Sequence, residues 1–162
     1  GIATSVYGNN YAQAFPSFGP ERRGAPVLGF TRIDSKPIID HSQVYSCDYV
    51  IVLDDTLMEV IDVAEGLKDG GTLLINTPLG ADAFEFGERF NTVTLNATDI
   101  ALEELKRPIT NTTMLGVLAA SCDFVSIESI FKAIDKDMTE NLRKMNKKAV
   151  ERAYKIIREG RE

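Results

Sequence analysis

The stretch FPSFGPERRGAPV, Phe15 to Val27, crowds the groups best suited to meet an anion into one stiff segment. Glu21, Arg22 and Arg23 stand between the corners Gly19-Pro20 and Gly24-Ala25-Pro26. Paired guanidinium groups bind carboxylate or phosphate through bidentate hydrogen bonds. The prolines reduce the entropy lost when such a loop docks. The same residues also admit a plainer reading, a surface connector in which Glu21 and Arg22 satisfy local backbone.

Three other places hold polar groups with possible chemistry. Asn111-Thr112-Thr113-Met114 lies between Pro108 and an apolar helical run, so Asn111 or Thr112 is expected to cap that helix. Asp54 and Asp55 follow an apolar strand at its carboxyl end, where open α/β sheets bind ligands, although capping explains them too. Cys47 and Cys122 have no adjoining basic residue and are expected to be packed thiols rather than redox centres. They are too few for a disulfide framework, an iron–sulfur cluster or a four-cysteine zinc site. His41 is the single histidine and is assigned no role.

The elements that must position these groups come from a chain of 162 residues, enough for one domain with a real core. No run approaches the length of a membrane span, and the amino end lacks the form of a signal peptide, so a cytoplasmic location is expected. Residues 1–137 carry 10 Lys+Arg against 20 Asp+Glu, whereas residues 138–162 carry 8 against 4. The acidic body argues against nucleic-acid binding, which needs a basic footprint. The basic tail is either a solvated helix face or a surface for an acidic partner.

Pro16, Gly19, Pro20, Gly24 and Pro26 exclude a helix, and the flanks Tyr11–Phe15 and Val27–Ile33 read as short strands. Another short strand is expected at Pro37–Ile39. Tyr49–Leu53 is a continuous apolar run suited to a strand covered on both faces. Leu57, Val60, Ile61, Ala64 and Leu67 predict a helix ended by Gly70-Gly71, and Thr72–Asn76 predicts the next parallel strand. Ala81–Arg89 reads as a short helix, Thr92–Asn96 as a strand and Asp99–Leu105 as a helix. Met114–Ala120, Ser126–Ile134 and Thr139–Glu159 complete a helical last third. In the final helix Leu142, Met145, Ala149, Ala153 and Ile156 are the expected packing face. The fold class is α/β over residues 1–162, a single domain with a largely parallel sheet flanked by helices.

The segment YAQAFPSFGPERRGAPVLGFTRI closely resembles the gamma subunit, or gamma domain, of 2-oxoacid:ferredoxin oxidoreductases, most of all the pyruvate and 2-ketoisovalerate branch. NATDIALEELKRPITNTTMLGVLAA, Asn96 to Ala120, and the carboxy-terminal NKKAVERAYK match in corresponding order. The resemblance implies a subunit of a thiamine-diphosphate enzyme that decarboxylates a 2-oxoacid, passes electrons through iron–sulfur clusters to ferredoxin, and transfers the acyl group to coenzyme A. Alpha, beta and ferredoxin-like delta subunits are its implied partners, with ferredoxin reached indirectly and a homodimer possible for the isolated chain. Thiamine diphosphate, Mg and clusters are expected on those partners. The chain lacks the GDG…NN pattern for Mg-thiamine diphosphate, so no cofactor is expected on it alone and it is expected to be non-catalytic by itself.

By the same resemblance, Glu21, Arg22, Arg23, Gly24, Asn111 and Thr112 become substrate- or coenzyme-A-binding or interface residues, and Phe15, Pro16 and Phe18 interface residues. Gamma subunits usually open with a strand and a GxGGQG-type loop, absent here; the chain is expected to begin inside the helix that follows. Two rival readings are a stand-alone nucleotide- or coenzyme-A-binding module and a scaffolding subunit that binds no small molecule.

Overall fold

The computed structural model describes residues 1–17, 26–40 and 42–160. A short helix, α1 (Ile2–Val6), leads into an antiparallel ribbon of β1 (Tyr11–Ser17) and β2 (Leu28–Asp34). Its register pairs Phe15 with Phe30 and Ser17 with Leu28. Pro16 is accommodated because a two-stranded ribbon has only edge strands.

A parallel sheet follows, in the order β3 (Cys47–Val52), β4 (Leu67–Asn76), β5 (Asn91–Leu95). Leu73, Leu74 and Ile75 are fully buried, which matches a central strand covered on both faces. Successive side chains point to opposite faces, so the two covers differ in kind. Leu74 packs with Val93 and Leu95 against helices α2 (Ala97–Leu105), α3 (Asn111–Ser121) and α5 (Glu140–Glu159). Leu73 and Ile75 pack instead against Leu57, Met58, Val63, Ala64, Phe84 and Phe86, on connecting segments without a long helix.

That second face corrects two sequence expectations. The helix expected over Leu57–Leu67 is a 3₁₀ turn, Asp55–Glu59, followed by irregular turns. The β-branched Val60, Ile61 and Val63 disfavour helix, and Asp62 accepts a 2.9 Å hydrogen bond from Ala64 N, a local turn that competes with it. Val60, an expected core position, is 69% exposed. Similarly, Ala81–Arg89 forms two single 3₁₀ turns, Ala81–Ala83 and Gly87–Arg89, rather than a helix. Gly70-Gly71 lies inside β4 rather than ending a helix. Gly70 has φ +76°, and the pairing jumps from Cys47–Leu67 to Tyr49–Thr72, a bulge that a glycine makes feasible. No strand forms at Pro37–Ile39, where a proline lacks the donor a ladder needs.

The helical last third agrees with the sequence reading. Ser126 caps α4 (Ile127–Asp137) by accepting from Ser129 N at 3.1 Å. α3 is apolar around its circumference and occupies the centre of the helical layer, with Met114 and Val117 fully buried. The packing face of α5 is rotated from the expected one: Asn146, Ala149, Val150, Ala153 and Ile157 are buried, whereas Leu142 and Ile156 are 48% and 42% exposed. α1 joins the ribbon to this layer, packing on both β1 and α4, and Ser129 Oγ donates to Tyr7 O at 3.2 Å.

Candidate functional site

The ribbon builds one candidate surface. One face sets Ala12, Ala14 and Pro16 opposite Ile33, Thr31 and Gly29, and Gly1 of the α1 end approaches Ala14. Phe15, Phe30 and Arg32 make the other, with ring centroids 5.7 Å apart and the Arg32 guanidinium 5.8 Å from the Phe15 ring. Arg32 then reaches across to residues 40–43. It donates to Asp40 O at 3.1 Å, Ser42 Oγ at 3.2 Å and Gln43 O at 3.4 Å, and pairs with the Asp40 carboxylate at 3.5 Å. One planar donor thus ties the segment after β2 down onto the ribbon. Nothing in the sequence pattern pointed to Arg32; its alternation with Phe30 on one strand face was the available signal.

Phe15 and Pro16 both lie on β1, which runs to Ser17, two residues past the Tyr11–Phe15 strand expected from the sequence. Phe18, Glu21, Arg22, Arg23 and Gly24, like His41, lie outside the described residues. Asn111 and Thr112 lie on a separate element, the first turn of α3. The expected cap is corrected: Thr110 occupies the N-cap position without a side-chain bond. Asn111 is the first helical residue, and its Oδ1 accepts from Thr112 N at 2.8 Å, so it relieves one orphan donor from inside the helix.

The carboxyl edge of the parallel sheet is internally satisfied. Asn76, 6% exposed, donates to Leu53 O and Thr98 Oγ1, both at 2.9 Å, and accepts from Thr98 N at 3.2 Å. One amide therefore fastens the end of β3, the end of β4 and the start of α2. Asp54 accepts from Thr56 N at 3.1 Å and Thr56 Oγ1 at 2.6 Å, and those hydrogen bonds hold its carboxyl below the usual range. The capping reading of Asp54 holds.

The basic tail is largely engaged within the molecule. Arg152 on α5 pairs with Glu103 and Glu104 of α2, and these bonds push its guanidinium pKa up. Lys147 meets Asp135 at 2.6 Å and Arg143 Nε donates to Met138 O at 2.6 Å. These contacts favour the structural reading of that charge.

Cys47 and Cys122 are both free thiols, half-buried. Burial pushes each thiol up, with the nearby Asp48 adding to the effect at Cys47. Iodoacetamide at pH 8 should therefore label both more slowly in the folded chain than in urea, with the difference closing as pH rises. The folded chain holds these protons to higher pH than the unfolded chain, so stability is lost as pH climbs through the thiol range. Fast labelling of folded chain at pH 8 would contradict the assignment. Among the described residues no three His, Cys, Asp or Glu side chains group to hold a metal ion. The described thiols and carboxylates are dispersed in a way that does not fit an iron–sulfur cluster or a Mg-thiamine site. Nor is any helix among them long and apolar enough to cross a membrane.

Comparison with known proteins places this architecture. The family described as pyruvate ferredoxin/flavodoxin oxidoreductase matches residues 2–156. Pyruvate synthase subunit PorC of Methanothermobacter thermautotrophicus is 47% identical over 147 residues, covering 91% of this chain and 79% of that one. The pyruvate/ketoisovalerate oxidoreductases common subunit gamma of Pyrococcus furiosus is 46% identical over 149 residues, covering 89% and 80%. The crystal structure of pyruvate oxidoreductase subunit PORC from Thermotoga maritima superposes with a TM-score of 0.79 at 37% identity, covering 95% of this chain and 84% of that one.

Proposed function

Because the chain belongs to the pyruvate ferredoxin/flavodoxin oxidoreductase family, we propose that it is the gamma subunit of a multisubunit 2-oxoacid:ferredoxin oxidoreductase acting on pyruvate or 2-ketoisovalerate. The reaction is coenzyme-A-dependent oxidative decarboxylation: the 2-oxoacid loses carbon dioxide, its acyl group passes to coenzyme A, and two electrons leave for ferredoxin. The observation that carries this reading is the correspondence over residues 2–156, together with 46–47% identity to subunits named for that activity.

Within that complex the chain docks and encloses; it does not turn over substrate unaided. Thiamine diphosphate, Mg and the iron–sulfur clusters sit on the alpha, beta and ferredoxin-like delta partners in the cytoplasm, and supply the carbanion and electron-transfer chemistry. This chain contributes the proline-rich sequence between β1 and β2, whose Arg22 and Arg23 meet a carboxylate or phosphate, on a partner or on coenzyme A. Glu21 and Gly24 belong to the same contact, and Phe15, Pro16 and Phe18 to the interface with a partner subunit. Asn111 and Thr112, in the first turn of α3, make a second contact, with coenzyme A or the adjoining subunit.

A chain carrying both Arg22→Ala and Arg23→Ala should bind the other subunits, or the complex should bind coenzyme A, about tenfold more weakly, as expected for two lost charge-assisted contacts. Titrating the variant into the remaining subunits while following dye reduction reads both. Unchanged stoichiometry and an unchanged coenzyme A requirement would remove the arginines from that role.

A further inference from the structure

β2 carries an open edge. Among the described residues its backbone bonds to β1, and no further backbone hydrogen bond reaches it. A row of peptide groups therefore faces outward along a strand of seven residues. The opposite edge is less suited to pairing. β1 contains Pro16, and proline in an edge strand sets its missing N–H toward the open side. β2 contains no proline. A two-stranded ribbon is marginal in water unless more strands or a helix support it, and the helix packed on β1, α1, has five residues.

The residue order of β2, LGFTRID, is complementary to itself. An antiparallel pairing centred on Thr31 matches all seven residues. Leu28 then faces Asp34 of a second copy, Gly29 faces Ile33, Phe30 faces Arg32, and Thr31 faces Thr31. Directly opposite positions share a sheet face and bring no like charges together. A Cβ at Gly29 would meet nothing within 4 Å, which leaves room for the facing Ile33 side chain. Phe30 lies diagonal to Phe30 of the second copy, within reach of ring contact. The two Arg32 side chains are also diagonal, but each guanidinium already pairs with its own Asp40 at 3.5 Å. Each Arg32 therefore offers mainly its aliphatic stem to the facing Phe30.

We propose that two copies of this chain join β2 to β2 across a two-fold axis at Thr31, extending the ribbon into one β1-β2-β2-β1 sheet. Symmetry selects the occupant: a foreign strand would have to match this residue order, whereas a second copy matches it by rotation. Charge permits the contact at this place. The strands Tyr11–Ser17 and Leu28–Asp34 carry one Arg and one Asp, so the ribbon is neutral in a chain of net charge −6. The repulsion between copies comes from the acidic body, and salt screens it beyond about 8 Å at physiological ionic strength.

The test follows the mass of the full chain by sedimentation over a range of concentration and salt, for wild type, Thr31→Lys, Thr31→Glu and an equimolar mixture of the two variants. Thr31 is exposed, so circular dichroism and melting of both dilute variants should match wild type. Wild type should dimerise, more tightly as salt rises, with hydrogen exchange over residues 28–34 slowing as concentration increases. Each variant alone sets like charges opposite one another at the axis and should dimerise about tenfold more weakly. The mixture sets Lys against Glu and should recover dimers as mixed pairs. A chain that stays monomeric, or a dimer that both substitutions leave intact, overturns the interface and leaves the gamma-subunit reading untouched. Loss of the dimer in both variants without recovery in the mixture overturns the pairing centred on Thr31.

Discussion

Gly116→Ala should destabilise the chain by about 2 kcal/mol, although helix propensity alone favours alanine over glycine by about 1 kcal/mol. A Cβ at position 116 would stand 2.3 Å from Val150 O and 3.0 Å from Ala153 Cβ. The nearer atom is backbone inside α5, so it cannot swing aside as a side chain would. α3 and α5 must separate, which loosens the layer that also holds Met114, Val117, Ala149 and Ala153. Overpacking of this kind costs about 1–3 kcal/mol, and a backbone collision belongs at or above the upper end, so sterics outweigh propensity. The expected fall in melting temperature is about 4–8 °C. A neutral or stabilising result would mean that the two helices lie farther apart.

Asn76→Leu should cost about 3 kcal/mol. Leucine has the branched outline of asparagine, though it is bulkier, and leaves Leu53 O, Thr98 N–H and the Thr98 hydroxyl without the partner they have now. An unpaired buried polar group costs about 1–3 kcal/mol, while the added apolar burial returns part of it. Denaturant unfolding measures the loss. Hydrogen exchange should locate it at the carboxyl ends of β3 and β4 and the first turn of α2. A loss below about 1 kcal/mol would show that water replaces the amide there.

Regular elements with continuous apolar runs or regular caps were legible in the sequence. Thr72–Asn76 read as a buried parallel strand from its apolar run and lies within β4, and Ser126 read as a cap. Tyr49–Leu53 read as covered on both faces for the same reason, but β3 is an edge strand that ends at Val52 and leaves Ile51 and Leu53 exposed. The cover of the second sheet face was not legible. Leu57 and Ala64 do reach the core, so the apolar count was right, but Asp62 and the β-branched residues around it break the helix that would have carried them. In α5, Leu142 and Ile156 satisfy the helical period as well as Asn146 and Val150 do. Only the packing of α3 and α4 on α5 decides between the two faces.

The site shows a sharper limit. Phe15 stands on the ribbon as expected, whereas Pro16, read as a breaker beyond the strand, pairs within it because an edge strand tolerates a missing donor. Arg32 and Asn76 act at sequence distances of about ten and twenty residues, on backbone groups. A backbone carbonyl leaves no trace in residue identity, so neither anchor could be found from spacing.

The proposed role, docking without turnover of its own, is tested by reconstitution. Purified chain, given pyruvate or 2-ketoisovalerate, coenzyme A, thiamine diphosphate, Mg and ferredoxin, should reduce no ferredoxin; adding it to the alpha, beta and delta subunits should restore reduction in proportion to the chain incorporated. Ferredoxin reduction by the chain alone, or full activity of the other subunits without it, would contradict the claim.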